Sequence, residues 1–219
     1  MKYLVPIFCF FTLSSFSQDS IQVLNSLKFK DGIYLNIDDF RTNKPSYTWA
    51  DLNASAHINR EKQVIRLEYV NTKDSSKIGI EDNIWGVCVE GIPYIKVVDT
   101  VKQMTIFTAL RIRGKLCYFY YDSYEIKAVP MTIYDPNTGQ PIWQEMIENK
   151  EPVVVEKMMN LETGTIADME VSMFKVWIQD DRQLSNTIND LSAIEAREKL
   201  YKILLIYNDR NPYFLMIGD

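Results

Sequence analysis

Between about 29 and 147, apolar and polar residues alternate over short runs separated by turn-forming residues. GIYLNI (32–37) sets Ile33, Leu35 and Ile37 against Tyr34 and Asn36. QVIRLEYV (63–70) sets Val64, Arg66, Glu68 and Val70 against Ile65, Leu67 and Tyr69. NIWGVCV (83–89), IPYIKVV (92–98), MTIFTALRI (104–112), KLCYFYY (115–121) and EIKAVPMTIY (125–134) continue the series. Period two with β-branched and aromatic enrichment predicts strands. Glu90-Gly91 and Arg113-Gly114 are expected to close hairpins, because glycine tolerates positive φ, and DPNTGQ (135–140) reads as a further turn. Many short strands joined by tight turns predict a mainly β (α+β) protein, an antiparallel sandwich or barrel.

After Gly164 the period lengthens to that of a helix. Asp168 is placed to cap a helix carrying Val171, Phe174 and Ile178, and a shorter helix carries Leu184 and Ile188. Ser192-Ala193-Ile194-Glu195 is a capping box, opening a helix with the stripe Ile194, Leu200, Ile203, Leu204 and Tyr207 that ends before Pro212. The expected organisation is a β-rich body over 18–165 with C-terminal helices, 166–219, packed on it as part of the same domain.

GKLCYFYYDSYEI (114–126) carries Tyr118, Phe119, Tyr120, Tyr121 and Tyr124 within seven positions. On a strand, Leu116, Tyr118 and Tyr120 point one way and Cys117, Phe119 and Tyr121 the other. Neither side is charged, so the strand is expected to be covered on both faces. The competing reading makes Tyr118, Tyr120 and Tyr124 a stacking platform for a ligand such as carbohydrate, which would need several coplanar, exposed rings on one side.

The first residues, MKYLVPIFCFFTLSSFSQ, combine Lys2, an apolar run over 3–13 and a small-polar stretch. That is the pattern of a secretory signal peptide over 1–17, with cleavage near Ser17–Gln18. Cys9 follows Pro6-Ile7-Phe8, which lacks the small residues of a lipid-modification site. The expectation is an exported protein, periplasmic or secreted, with no later run approaching the ~20 apolar residues of a spanning helix. Losing Lys2 moves the formal charge from −5 to −6, and acid and base are interspersed without a basic block, so nucleic acid is not an expected partner. In an oxidising compartment Cys88 and Cys117 either bridge or stand as two separate buried thiols.

Reactive constellations are few. His57 is the single histidine, which rules out HExxH-type metal centres, and no GxSxG, Walker or GxGxxG motif is present. No metal and no cofactor are expected. Asp135 and Asn137 offer calcium oxygens, but Pro136 and the missing downstream carboxylate favour a plain turn. The acidic pairs Asp38-Asp39, Glu81-Asp82 and Asp180-Asp181 cannot serve a glycosidase alone, because neighbours on a strand face opposite ways. A working pair would join distant residues, such as Asp39 with Asp122 or Glu125.

DGIYLNIDDFRTNKPS (31–46), IWGVCVEGIPYIKV (84–97), NLETG (160–164), DDRQL (180–184) and YNDRNP (207–212) resemble blocks of a group of secreted Bacteroidetes-type proteins, a domain family of unknown function. The resemblance implies export and a β-rich architecture and carries no assigned activity or catalytic residues. The leading functional expectation is a non-catalytic exported module that binds a ligand or partner at the cell envelope. A carboxylate-dependent glycan hydrolase and a lipocalin-like carrier of an apolar ligand are the alternatives.

Overall fold

The computed structural model describes residues 19–217, so the leader over 1–17 lies outside the described residues. In chain order the strands and helices are β1 (Asp19–Gln22), β2 (Gly32–Tyr34), α1 (Ile37–Arg41), β3 (Leu52–Asn59), β4 (Val64–Thr72), α2 (Ile80–Asn83), β5 (Gly86–Val89), β6 (Ile92–Asp99) and β7 (Met104–Ala109). There follow β8 (Leu116–Tyr134), β9 (Pro141–Asn160), β10 (Ile166–Asp168), α3 (Val171–Trp177), α4 (Arg182–Asn189), α5 (Ala193–Arg210) and β11 (Phe214–Ile217). The protein is mainly β and antiparallel. A six-stranded sheet ordered β2-β5-β6-β7-β4-β3 curls into a half-barrel, a three-stranded sheet runs β10-β9-β8, and β1 pairs with β11.

Three filled clusters hold these layers together. On one face of the six-stranded sheet Ile33, Val87, Tyr94, Ala109, Ile65 and Phe107 pack with Trp49 and Ile84. The opposite face offers Tyr34, Cys88 and Ile95, which meet Cys117, Phe119 and Met159 of the three-stranded sheet. The far side of that sheet, Leu116, Tyr118 and Met158, packs against Phe174, Leu184, Ile188, Leu200, Ile203, Leu204 and Tyr207 of the helices. Strand alternation therefore sends neighbouring residues of β8 into two different cores, and burying each large ring there contributes about 2 kcal/mol. The aromatic run is a wall between two layers.

Local signals account for most element ends. Asn36 caps α1 by accepting from the Asp39 N–H at 2.8 Å, so Ile37 opens a helix where alternation predicted strand. The Ser192–Glu195 box forms as expected, but Ile194 is 73% exposed and stands outside the buried stripe. Asp168 is no cap; it lies in β10 and pairs with Lys157 at 2.6 Å, and α3 begins after Glu170. The Glu90-Gly91 hairpin closes β5 on β6 with both residues at positive φ. Arg113-Gly114 closes no sheet hairpin. It carries the chain from β7 in one sheet to β8 in the next, joined there by a single bridge between Ile112 and Tyr118.

Candidate functional site

A groove of about 470 Å³ opens where the β3–β4 hairpin and β7 run past the free edge of β8. Its near wall is set by strand register. His57 and Arg66 lie directly opposite each other on β3 and β4, and Asn59 opposes Val64 two rungs on, on the same face. The Asn59 carboxamide accepts from the Lys62 N–H at 2.9 Å and, with Gln63 at φ 53, bends the hairpin. Met104 and Ile106 of β7 form the floor.

The far wall is the edge of β8, whose outward carbonyls are taken in succession. Tyr118 O accepts from the Arg111 and Ile112 N–H groups, Tyr120 O from the Thr108 hydroxyl at 2.8 Å, and Asp122 O from the Lys102 ammonium. Lys102 is aimed by Asp99, a carboxylate only 2% exposed, whose Oδ1 accepts from the N–H groups of Val101 and Lys102 and from the Ser123 hydroxyl. The second oxygen of Asp99 has only the Lys102 ammonium, 3.8 Å away. Lys62 reaches across the groove to Asp122 at 2.6 Å; that hydrogen bond, then the carboxylate's charge, raises its pKa and keeps it cationic. Arg111 stacks 4.4 Å above the Tyr120 ring and donates to Lys62 O at 2.7 Å. Lys62, Arg66, Lys102 and His57 thus share the groove with Glu61 and Asp122.

Tyr118, Tyr120 and Tyr124 part company. Tyr118 is buried, donates to Glu156 at 2.5 Å and meets Tyr201 edge-on at 5.4 Å. Burial first, and the Glu156 hydrogen bond second, push its phenol pKa upward, so it stays protonated. Tyr120 lines the groove beside it, its ring 6.2 Å from that of Tyr118 and tilted 49° to it. Tyr124 is 41% exposed, under the Lys102 ammonium, in a neighbouring recess with Pro152 and Val153. Tyr118 is inside the protein, Tyr120 is tilted 49° to it and Tyr124 lies in a separate recess, so the platform geometry is not formed.

The remaining candidates resolve into structural roles. In place of a bridge, Cys88 and Cys117 are free and buried: the Cys88 thiol approaches Phe29 O and Asp31, and Cys117 approaches Gly114 O. Burial pushes the Cys117 thiol up to about 12 and, together with the Asp31 carboxylate, raises that of Cys88, so neither supplies a thiolate at neutral pH. Asp135 accepts from the N–H groups of Asn137 and Thr138 and closes the 135–140 turn. Asp39 is bound to Asn36 and Ser46, and Glu125 to Lys127, while Asp122 lies in the groove, so the structure does not bring together the carboxylates that sequence reasoning paired. Asp122 and Glu125 are three apart on one strand and face opposite ways. Asp181 caps α4 at Leu184 N, and Asp180 holds Lys115 and Tyr207. Among the described residues no cluster of three His, Cys, Asp or Glu could hold a metal, and no helix is long and apolar enough to cross a membrane.

Sequence reasoning gave Lys62, Arg66 and Lys102 no functional role. The only available signal was that Arg66 shares a strand face with Val64, and its meaning depends on knowing which strand lies beside it. No family model, no curated protein and no solved structure matches the chain.

Proposed function

We propose that this chain is an exported, non-catalytic binding module whose groove holds an elongated ligand carrying an anionic group, at or beyond the cell envelope. One observation carries the reading: Arg66, an exposed residue paired with His57 across β3 and β4, lines the groove, and its guanidinium has no hydrogen-bond or ion-pair partner among the described residues. A guanidinium presents five donors in a planar fork that suits carboxylate, sulfate or phosphate. Lys62 and Lys102 line the same groove, each beside a carboxylate (Asp122 and Asp99), and Tyr120 adds a half-buried ring. The leader pattern at 1–17 supports export, and the sequence blocks named above support kinship with the secreted Bacteroidetes-type group. The filled clusters around Phe119 and Tyr118 favour groove binding over an apolar interior cargo.

Calorimetric titration with uronate and sulfated oligosaccharides, beside neutral ones of equal length, tests this. Anionic oligosaccharides should bind and neutral ones not. Arg66→Ala should weaken binding about tenfold or more, the worth of a charge-assisted hydrogen-bond pair. An unaltered affinity in that variant, or no binding by any anionic oligosaccharide, would sink the proposal.

A hydrolase is the second reading, favoured by Glu61 and Asp122 lining one groove. Turnover of a glycan abolished by Asp122→Asn would establish it over the binding module.

A further inference from the structure

The groove does not end at Asp122. A second recess of about 310 Å³ lies beyond it, walled by Tyr124, Pro152, Val153 and Val154, and Lys62, Lys102 and Asp122 line both. Strand register makes the two continuous. Tyr120, Asp122 and Tyr124 are spaced by two on β8 and so share one side of it. The rungs Asp122↔Val154 and Tyr124↔Pro152 put Val154 and Pro152 on that same side. From Tyr120 to Tyr124 the strand covers about 13 Å. Tyr124 and Val154 are both exposed.

An ion pair stands between the two recesses. Lys62, carried on the β3–β4 turn, crosses to Asp122, and both side chains are about half exposed. Water and salt screen a pair so placed, and holding it closed is worth little. The Asp122 charge also repels any anionic group that approaches Lys62. An anion that takes Lys62 from Asp122 exchanges one exposed ion pair for another and passes at small cost. A neutral chain has nothing to offer Lys62 and leaves the pair shut. Lys102 is held by the Asp122 carbonyl and lies 5.3 Å from the Tyr124 ring centroid, so a cation stays at this point when Lys62 swings away.

We propose that the two recesses form one trough for a polyuronate chain, with the Tyr124 recess as its second subsite and the Lys62–Asp122 pair as a latch that a carboxylate of the chain opens. The proposal rests on the anion-binding reading of the groove and adds the length and charge spacing of the ligand. Arg66 lies in the first recess, and Lys62 with Lys102 where the two meet. Positive groups strung along the trough match a ligand with a carboxylate on every ring better than one with a single terminal anion. Tyr124 acts alone, not as one of a coplanar set. Its ring, flanked by Pro152 and Val154, offers an apolar surface for one sugar ring to pack on.

Calorimetric titration of the purified protein with a uronate trisaccharide and the hexasaccharide of the same uronate tests it. The hexasaccharide should bind about tenfold more tightly, the worth of one packed ring with one charge-assisted contact. Tyr124→Ala should bring the hexasaccharide down to the affinity of the trisaccharide. Asp122→Asn should strengthen hexasaccharide binding about threefold, the worth of an exposed ion pair, with a gain that shrinks as salt rises. Circular dichroism should show each variant folded as the parent. Equal affinity for the two lengths would overturn the second subsite and leave the groove reading standing, as would a Tyr124→Ala variant that keeps the preference for length. Weaker hexasaccharide binding by Asp122→Asn would overturn the latch. No binding by either length would overturn the groove reading and the proposal with it.

Discussion

The carboxamide of Asn208 closes on both backbone groups of Leu116: it accepts from the Leu116 N–H at 2.9 Å and donates to the Leu116 carbonyl at 2.7 Å. A side chain of α5 thus takes the place of a neighbouring strand at the first residue of β8. Gly114 permits the approach, since a Cβ there would lie 2.5 Å from the Asn208 side chain.

Asn208→Ala should lower unfolding stability by about 2 kcal/mol, because it strands a backbone donor and acceptor at a half-buried site. Gly114→Ala should do comparable damage by pushing Asn208 off Leu116. Chemical denaturation with unchanged m-value checks both.

The Lys115–Asp180–Tyr207 cluster should limit stability at both ends of the pH scale. Burial pushes Asp180 upward, but the hydrogen bonds from Lys115 and Tyr207 outweigh it and hold the carboxyl below its ordinary value. That stability is present above the unfolded value near ~3.9 and is lost as pH falls through the lower folded value. Burial, then the Asp180 hydrogen bond, pushes Tyr207 up to about 12, and Asp180 raises Lys115. Stability should therefore fall again as pH climbs from about 10, where the unfolded tyrosine ionises, to about 12. In melting temperature measured against pH, Asp180→Asn should flatten the acid limb and weaken the alkaline one, which keeps the part set by the burial of Tyr207.

The two thiols should be silent in the native state. Alkylating reagent should label neither Cys88 nor Cys117 until denaturant is added, and a reductant should leave the melting temperature unchanged. A downward shift on reduction would show a bridge.

Two lysines beside the groove should differ in weight. Lys102→Met leaves the buried Asp99 carboxylate without its nearby cation and should cost about 2 kcal/mol or more. Lys62→Met breaks an exposed pair with Asp122 and should stay within measurement error. Equal losses would contradict the assignment of Asp99 as the anchor of the 99–103 loop.

Short-range physics was legible in the chain. Alternation at 64–70 marks β4, Ser192 with Glu195 opens α5, and Glu90-Gly91 turns β5 into β6. The uncharged alternation of Leu116 to Tyr121 signalled a strand covered on both faces, and its two sides do enter two cores. The second half of β9 and the unbroken span of β8 were missed, because Asp122-Ser123 reads as a break where the structure continues the strand by burying Ser123 against Asp99.

Residue spacing alone determined a β-rich chain with capped C-terminal helices, because strand period, turn conformation and capping depend on neighbours a few positions apart. Only the folded arrangement decided that Arg66 faces β8 across a groove and that β8 and β9 outrun their core. Those outcomes depend on which distant strands pair and in what register, and the free energy that selects them comes from burial between segments far apart in the chain.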